Sequence, residues 1–180
     1  MNLKATIGME THVELDTKSK MFCSCEVVET DEPNISVCPT CLGLPGALPV
    51  PNKTAIEYIV MLSLGANCKI TNEGMFHRKN YFYPDLPKNY QISQFDFPVG
   101  VNGSLEIVLD EKLHSVEIER VHMEEDTGQS VHIGSGRIDS ATSTLLDFNR
   151  SGIPLVEVVT KPVISTSKMA VAYICLLYTS

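Results

Sequence analysis

From residue 7 the chain alternates: Ile7, Met9, Thr11, Val13 and Leu15 fall at one parity, Glu10, His12 and Glu14 at the other. Successive strand residues face opposite ways, so the pattern predicts a short strand with one mostly apolar face. The other face carries a carboxylate, an imidazole and a carboxylate in a row. That oxygen/nitrogen set suits magnesium or manganese better than zinc. An edge strand with a solvated polar face accounts for the same alternation without any ligand.

The period changes at Asn52, which can cap a helix over residues 53–64. Ile56, Ile59, Val60 and Ser63, joined by Ala55 and Leu62, supply its apolar stripe. Strand alternation returns with Leu105, Ile107 and Leu109, then with Val116 and Ile118 between glutamates. The second run leads into Arg120-Val121-His122-Met123-Glu124-Glu125-Asp126-Thr127-Gly128. Three adjacent acids are electrostatically costly unless a cation or solvent relieves them, so this is either a set of metal ligands or a solvated turn. Period two puts Arg120, His122, Glu124 and Asp126 on one face and Glu125 on the other. Residues 145–148 and 154–159 read as two further strands around the turn Asn149-Arg150-Ser151-Gly152. Glu157 stands alone in the second of these, where a carboxylate is expensive unless paired or coordinated. Arg150 is the candidate salt-bridge partner; metal or active-site duty is the other reading. A second helix is expected after residues 165–167.

Two stretches break the periodicity. Residues 42–51, rich in glycine and proline, predict a shaped connector with buried leucines. Residues 77–91 bracket three consecutive aromatics with Arg78, Lys79 and Lys88. Such groups can hold phosphates and stack on a base or ribose, which makes Lys79, Tyr81, Tyr83, Lys88 and Gln91 candidates for a nucleotide or RNA contact. An ordered surface loop is the plainer alternative.

Composition narrows the picture. The chain has 180 residues, enough for one full domain, and a formal net charge of -8. That balance argues against a protein that coats nucleic acid through bulk charge. No apolar run is long enough to span a membrane and no secretory signal precedes the first strand, so no membrane association is expected and a cytoplasmic location is. Cys23 and Cys25, then Cys38 and Cys41, form two close pairs across a loop, a spacing that suits a structural four-thiolate zinc site over residues 22–42. Disulfides compete for the same spacing but need an oxidising compartment. Cys68 is expected to be a small buried apolar residue.

Several of these stretches together resemble a known family. They are Gly8-x-Glu10-x-His12-Val13, the cysteine pairs with residues 42–49, and residues 78–88. Tyr90-Gln91-Ile92-Ser93-Gln94, His122-x-Glu124-Glu125-Asp126 and Asp147-Phe148-Asn149-Arg150-Ser151-Gly152-x-Pro154-Leu155 follow in the family's order. The likeness is to the B subunits of glutamine-dependent aspartyl/glutamyl-tRNA amidotransferases and runs from about residue 4 to about residue 170. Departures from the family pattern are Met9, Glu14, Asn89 and Thr127; Glu14 stands where glutamine is usual, which removes it from the expected ligands.

The resemblance implies an α+β, glutamine synthetase-like cradle domain, mostly antiparallel sheet with packed helices, extending over residues 1–174 and continuing in the family well beyond them. It implies ATP-dependent phosphorylation of the side-chain carboxylate of Glu-tRNA(Gln) or Asp-tRNA(Asn), followed by amidation with ammonia that a partner protein releases from glutamine. ATP, Mg2+ and Zn2+ are the implied cofactors; amidotransferase subunits A and C and the misacylated tRNA are the implied partners. Glu10, His12, Glu125 and Glu157 are then expected to hold magnesium, with Glu124 a ligand or its neighbour. Lys79, Lys88 and Arg150 are expected to contact phosphate, and Tyr81, Tyr83 and Gln91 to shape the pocket. Other classes remain open: the related archaeal-type E protein specific for Glu-tRNA(Gln), a small-carboxylate ligase of the glutamine synthetase class, or a zinc-stabilised RNA-binding module. Residues 175–180 match one frame of a common transposase sequencing adapter, so genuine sequence is expected to end at about Ile174, and such a fragment is expected to be inactive alone.

Overall fold

Strand β6 (Lys112–Glu125), 14 residues long, is the axis of the structure. The structure, a computed structural model, describes residues 3–134 and 140–179; Ser180 of the expected adapter segment lies outside them. In chain order the other elements are β1 (Glu10–Glu14), α1 (Lys53–Gly65), β2 (Lys69–Ile70), β3 (His77–Asn80), β4 (Tyr90–Ser93) and β5 (Gly100–Leu109). After β6 come β7 (Gln129–Ile133), β8 (Ser143–Asp147), β9 (Pro154–Thr160) and α2 (Ser167–Thr179). Every described ladder is antiparallel, in the order β1-β9-β6-β4-β3, with β5 on β6 from Lys112 to Val121 and β2 on β5. A separate hairpin pairs β7 with β8. The α+β, mainly antiparallel expectation is met.

One irregularity positions the site. The β6–β9 register shifts between Ile118 and Arg120. Before the shift Val116 and Ile118 enter the core; after it, Val121 and Met123 do. An extra residue in one strand exchanges the two faces. Arg120, His122 and Glu124 therefore turn to the face opposite the core. On β9, Val156 and Val158 join the same core, which leaves Glu157 facing His122 across the ladder. The alternation read for β1 holds: Glu10, His12 and Glu14 are exposed, while Thr11 and Val13 are half-buried.

Both helices pack on the core face. Asn52 caps α1 as expected, its side-chain oxygen accepting from the Ala55 amide at 3.3 Å. The buried stripe is Ala55, Ile59 and Ser63; Ile56 is exposed, contrary to the expected stripe. Small residues line that contact because backbone comes close: a Cβ on Gly103 would lie 2.5 Å from the Ala66 carbonyl oxygen. Cys68 is buried there as expected. Thr166 caps α2, accepting from the Met169 amide at 3.2 Å, and Met169 and Tyr173 are its buried residues. The leucines of residues 42–51 are a correction: Leu44 and Leu48 are exposed, because this connector lies over the cysteine loop and the Lys88 stem rather than under the sheet. No described helix is long and apolar enough to cross a membrane.

The β5–β6 hairpin closes through Asp110 and Glu111 at φ 49° and 61°. Two left-handed residues make a primed turn, which favours glycine at the second position. Glu111→Gly is expected to stabilise the protein by roughly 0.5–1 kcal/mol, since the relieved left-handed strain exceeds the added unfolded-state freedom. A rise of a few degrees in Tm by calorimetry checks it.

Candidate metal centre and the two faces beneath it

Three strands bring their polar faces together on the outer side of the sheet. The register aligns His12 of β1 with Glu157 of β9, and Glu157 with His122 of β6. His12 Nε2 lies 3.6 Å from Glu124 Oε2 and 3.7 Å from Glu157 Oε2. His122 Nε2 lies 3.1 Å from Glu157 Oε2 and 3.4 Å from Glu124 Oε1. Ser93 Oγ donates to Glu124 Oε1 at 3.0 Å, and Lys79 Nζ stands 3.8 Å from the same oxygen. His122, Glu124 and Glu157 are all buried, whereas His12 is half-exposed and opens the group to solvent.

Two buried carboxylates side by side need compensating positive charge. Burial alone would pull the His122 pKa down, but hydrogen bonds to Glu124 and Glu157 outweigh it and leave it raised. Burial works upward on Glu124 and is outweighed by His122, Lys79 and Ser93, so its pKa is lowered. Glu157 is lowered chiefly by His122, against its own burial. One ligand atom each from His12, Glu124 and Glu157 lie within 4.8 Å of one another, a separation that one cation can span. The set of two carboxylate oxygens and one nitrogen fits magnesium or manganese.

The expected ligands divide between the faces. Glu10 is exposed on the same outer face, paired in register with Val159, two register positions from the His12–Glu157 pair. Glu125 is turned to the other face, as period two requires after Glu124. There it forms a buried ion pair with Lys88, and its Oε1 accepts from the Ile92 amide at 2.9 Å. Burial still leaves the Glu125 pKa raised. Gln91 Nε2 donates to the Glu125 carbonyl at 2.6 Å and so braces this end of β6. Lys88 is thus enclosed against Glu125, while Lys79 reaches the outer group. Tyr81 is half-buried, with its hydroxyl pKa raised by burial and by Asp85, Glu124 and Asp126; Tyr83 is exposed.

Arg150 does not pair with Glu157. Its Nε lies 3.1 Å from Asp126 Oδ2, and it donates to the Thr127 and Gly128 carbonyls at 3.2 Å each. The Asp126 pKa is pushed up to about 6 by burial and by Glu14, against the pull of Arg150 and the Thr127 amide. Arg150 therefore holds the turn beyond β6 rather than relieving the buried glutamate.

Below the inner face, one sulfur each from Cys23, Cys25, Cys38 and Cys41 lie within 4.8 Å of one another, and all six cysteines of the chain are free of disulfides. A tetrahedral zinc–thiolate site places its sulfurs about 3.8 Å apart, so the cluster needs only a small contraction to hold a metal. Its own electrostatics point the same way. Cys41 is pulled down to about 5, first by the Cys23 thiol and then by the Cys38 amide and Lys20, against burial. Cys23 is pushed up by its bond to Cys41 and by burial, and Cys25 up to about 11 by burial and Cys38. Thiolates crowded this closely repel one another, and a dication removes that conflict. Sequence reasoning missed Lys20 and Ser93: a lone lysine or serine carries no spacing signal.

Comparison with known proteins identifies the family. The family model described as the GatB/GatE catalytic domain matches residues 5–179, and the chain belongs to that family. Among curated relatives, it is 55% identical over 170 residues to the aspartyl/glutamyl-tRNA(Asn/Gln) amidotransferase B subunit of Frankia casuarinae, an alignment covering 93% of this chain and 34% of that one. The B subunits of Rhodococcus jostii, at 58% over 160 residues, and Mycobacterium avium, at 55% over 167, are similar; these alignments cover 87% and 91% of this chain and 32% and 33% of theirs. The chain thus spans about a third of the length of the curated relatives it matches.

Removing one member of the enclosed pair strands the other. Lys88→Met is expected to destabilise the fold by about 3–5 kcal/mol. Lys88→Met combined with Glu125→Leu is expected to recover most of that loss. Urea unfolding of the two variants checks both.

Proposed function

We propose that this chain carries the ATP-dependent half of a glutamine-dependent tRNA amidotransferase, as part of its B subunit. What supports the reading is the His12–Glu124–Glu157 group, its two glutamates buried and its imidazole open to solvent, in a chain of the GatB/GatE catalytic domain family. On this reading the substrates are ATP and the aminoacyl end of Glu-tRNA(Gln) or Asp-tRNA(Asn). Subunits A and C are the partners, the first of them supplying ammonia from glutamine. The frame is a glutamine synthetase-like cradle, and the compartment is the cytoplasm.

The reaction joins two anions. A side-chain carboxylate oxygen attacks the γ-phosphorus of ATP, the bond to ADP breaks, and an acyl phosphate forms. Ammonia then attacks the carbonyl carbon, phosphate leaves with the electrons of the carbon–oxygen bond, and a proton is lost from nitrogen. Such chemistry needs charge neutralisation and alignment more than a protein nucleophile.

His12, Glu124 and Glu157 would hold magnesium, which supplies charge neutralisation at the phosphate oxygens. Glu10 adds negative charge from two register positions away. His122 keeps both glutamates oriented, and Ser93 fixes the rotamer of Glu124. Lys79, exposed beside Glu124, contacts phosphate. Tyr81 and Tyr83 border the pocket. Glu125, faced away, is assigned to holding Lys88, and Arg150 to fixing the turn at Asp126. Zinc in the four-cysteine cluster has a structural role.

Glu157→Gln or Glu124→Gln, assayed in the assembled complex, is expected to lower ATP-dependent amidation at least about a hundredfold while glutaminase activity persists. Manganese binding, followed by electron paramagnetic resonance, falls in parallel. Equal loss of both activities in a folded variant, or unchanged manganese binding, would count against the reading.

A further inference from the structure

Lys20 is fully buried, with no exposed surface. Its ammonium donates to the Ser36 carbonyl at 2.7 Å and the Phe148 carbonyl at 3.2 Å, and lies 3.9 Å from Cys41 Sγ. Three acceptors arrayed around one nitrogen match the three donors of a lysine ammonium. A buried charge of this kind needs a counter-charge. Lys20 lines a cavity of about 140 Å³ together with Cys23, Cys41, Lys88 and Glu125. Lys88 is taken by Glu125 there. Among the described residues lining this cavity, the cysteine cluster is what remains to balance Lys20.

Charge arithmetic on the cluster gives the same pairing. Four thiolates around a dication leave two negative charges inside the protein, and hydrogen bonds from a cation weaken the nucleophilicity of the sulfurs they touch. Lys20 is placed to supply one of the two missing charges.

Its other contacts run toward the outer face. Phe148 opens the turn at residues 148–152. Asn149 Oδ1 accepts from the Ser36 amide at 2.9 Å, and its side-chain nitrogen donates to the Glu32 carbonyl at 2.8 Å. The Met21 amide donates to the Gly152 carbonyl at 2.7 Å, and the Gly152 amide to the Asp126 carbonyl at 2.8 Å. Arg150, in the middle of this turn, grips Asp126. A chain of hydrogen bonds thus runs from the cysteine loop through the turn to the end of β6, where Glu124 sits.

We propose that Lys20 is the built-in counter-charge of a four-thiolate metal centre, and that through Phe148 it couples metal occupancy of the cysteine loop to the turn that fixes Arg150, Asp126 and the end of β6. Lys20 acts here as a positioning residue. The inference rests on the cluster binding a metal, as proposed above.

The test uses the intact protein, purified with zinc and, separately, loaded with cobalt. Lys20→Met keeps the length and loses the charge; Lys4→Met, at an exposed lysine, is the control. In Lys20→Met, zinc affinity measured against a chromophoric chelator is expected to fall about ten- to a hundredfold. Alkylation of the metal-bound thiolates by iodoacetamide is expected to quicken several-fold, and the thiolate-to-cobalt absorption to move to lower energy. Amide exchange in residues 148–152 should rise even with metal bound, while the β5–β6 hairpin stays protected. A metal-loaded Lys20→Met protein with unchanged affinity, alkylation and exchange overturns the proposal. Should that variant not fold, zinc removal from the unsubstituted protein must raise exchange in residues 148–152 ahead of the hairpin, and failure to do so overturns the coupling. A protein with no metal per chain overturns the metal reading and this proposal together, whereas one zinc per chain with an inert Lys20 overturns this proposal alone.

Discussion

Two carboxylates, Glu124 and Glu157, are buried side by side on a sheet whose reverse side is the hydrophobic core. Desolvating one such group costs several kcal/mol, so the pair survives only with charge and hydrogen bonds aimed at it. Much of the surrounding structure answers that need. β9 lies between β1 and β6 so that His12 and His122 flank Glu157 from both sides. β4 meets β6 at Ser93, which fixes Glu124, and β3 carries Lys79 over the same oxygen. The helices stay on the other side and leave this face open.

The same need separates the two faces of β6. Adjacent residues of a strand cannot serve one site, so Glu124 and Glu125 take opposite tasks. Glu125 closes on Lys88 beneath the cysteine loop, and Gln91 and Ile92 hold it from the neighbouring strand. The cysteine loop is therefore a floor under the outer group. Its hydrogen bonds reach Asp147, Phe148 and Asn149, which set the turn carrying Arg150. A cluster of four thiols competing for protons is a poor floor by itself; a bound metal ion would make it rigid.

Neutralisation links this geometry to chemistry. Positions that hold buried carboxylates with imidazole and lysine partners are poised to exchange those partners for a cation and a phosphate. That is the physical content of the proposal for ATP-dependent amidation, and it explains why the outer group is buried on two sides yet open through His12.

The periodic parts were legible in the residues alone: the two-faced strand at residues 10–14, the Asn52 cap, the cysteine spacing, and the burial of Glu157 in an apolar run. These depend on neighbours two to four residues away, which local pattern encodes. The motifs also carried the family resemblance, because long runs such as residues 78–88 are specific. Which acids meet depends on how the strands pair. Strict alternation put Val116, Ile118 and His122 on one face, yet the register shift at Ile118/Arg120 sends His122 away from the core that holds the other two. Pairing and packing also dictate that Arg150 grips Asp126 rather than Glu157, that Ile56 and Leu48 stay exposed, and that Lys20 is enclosed at the cysteine cluster. Each of these turns on partners that are distant in the chain, and the spacing of residues along a strand or helix carries no record of what packs against it.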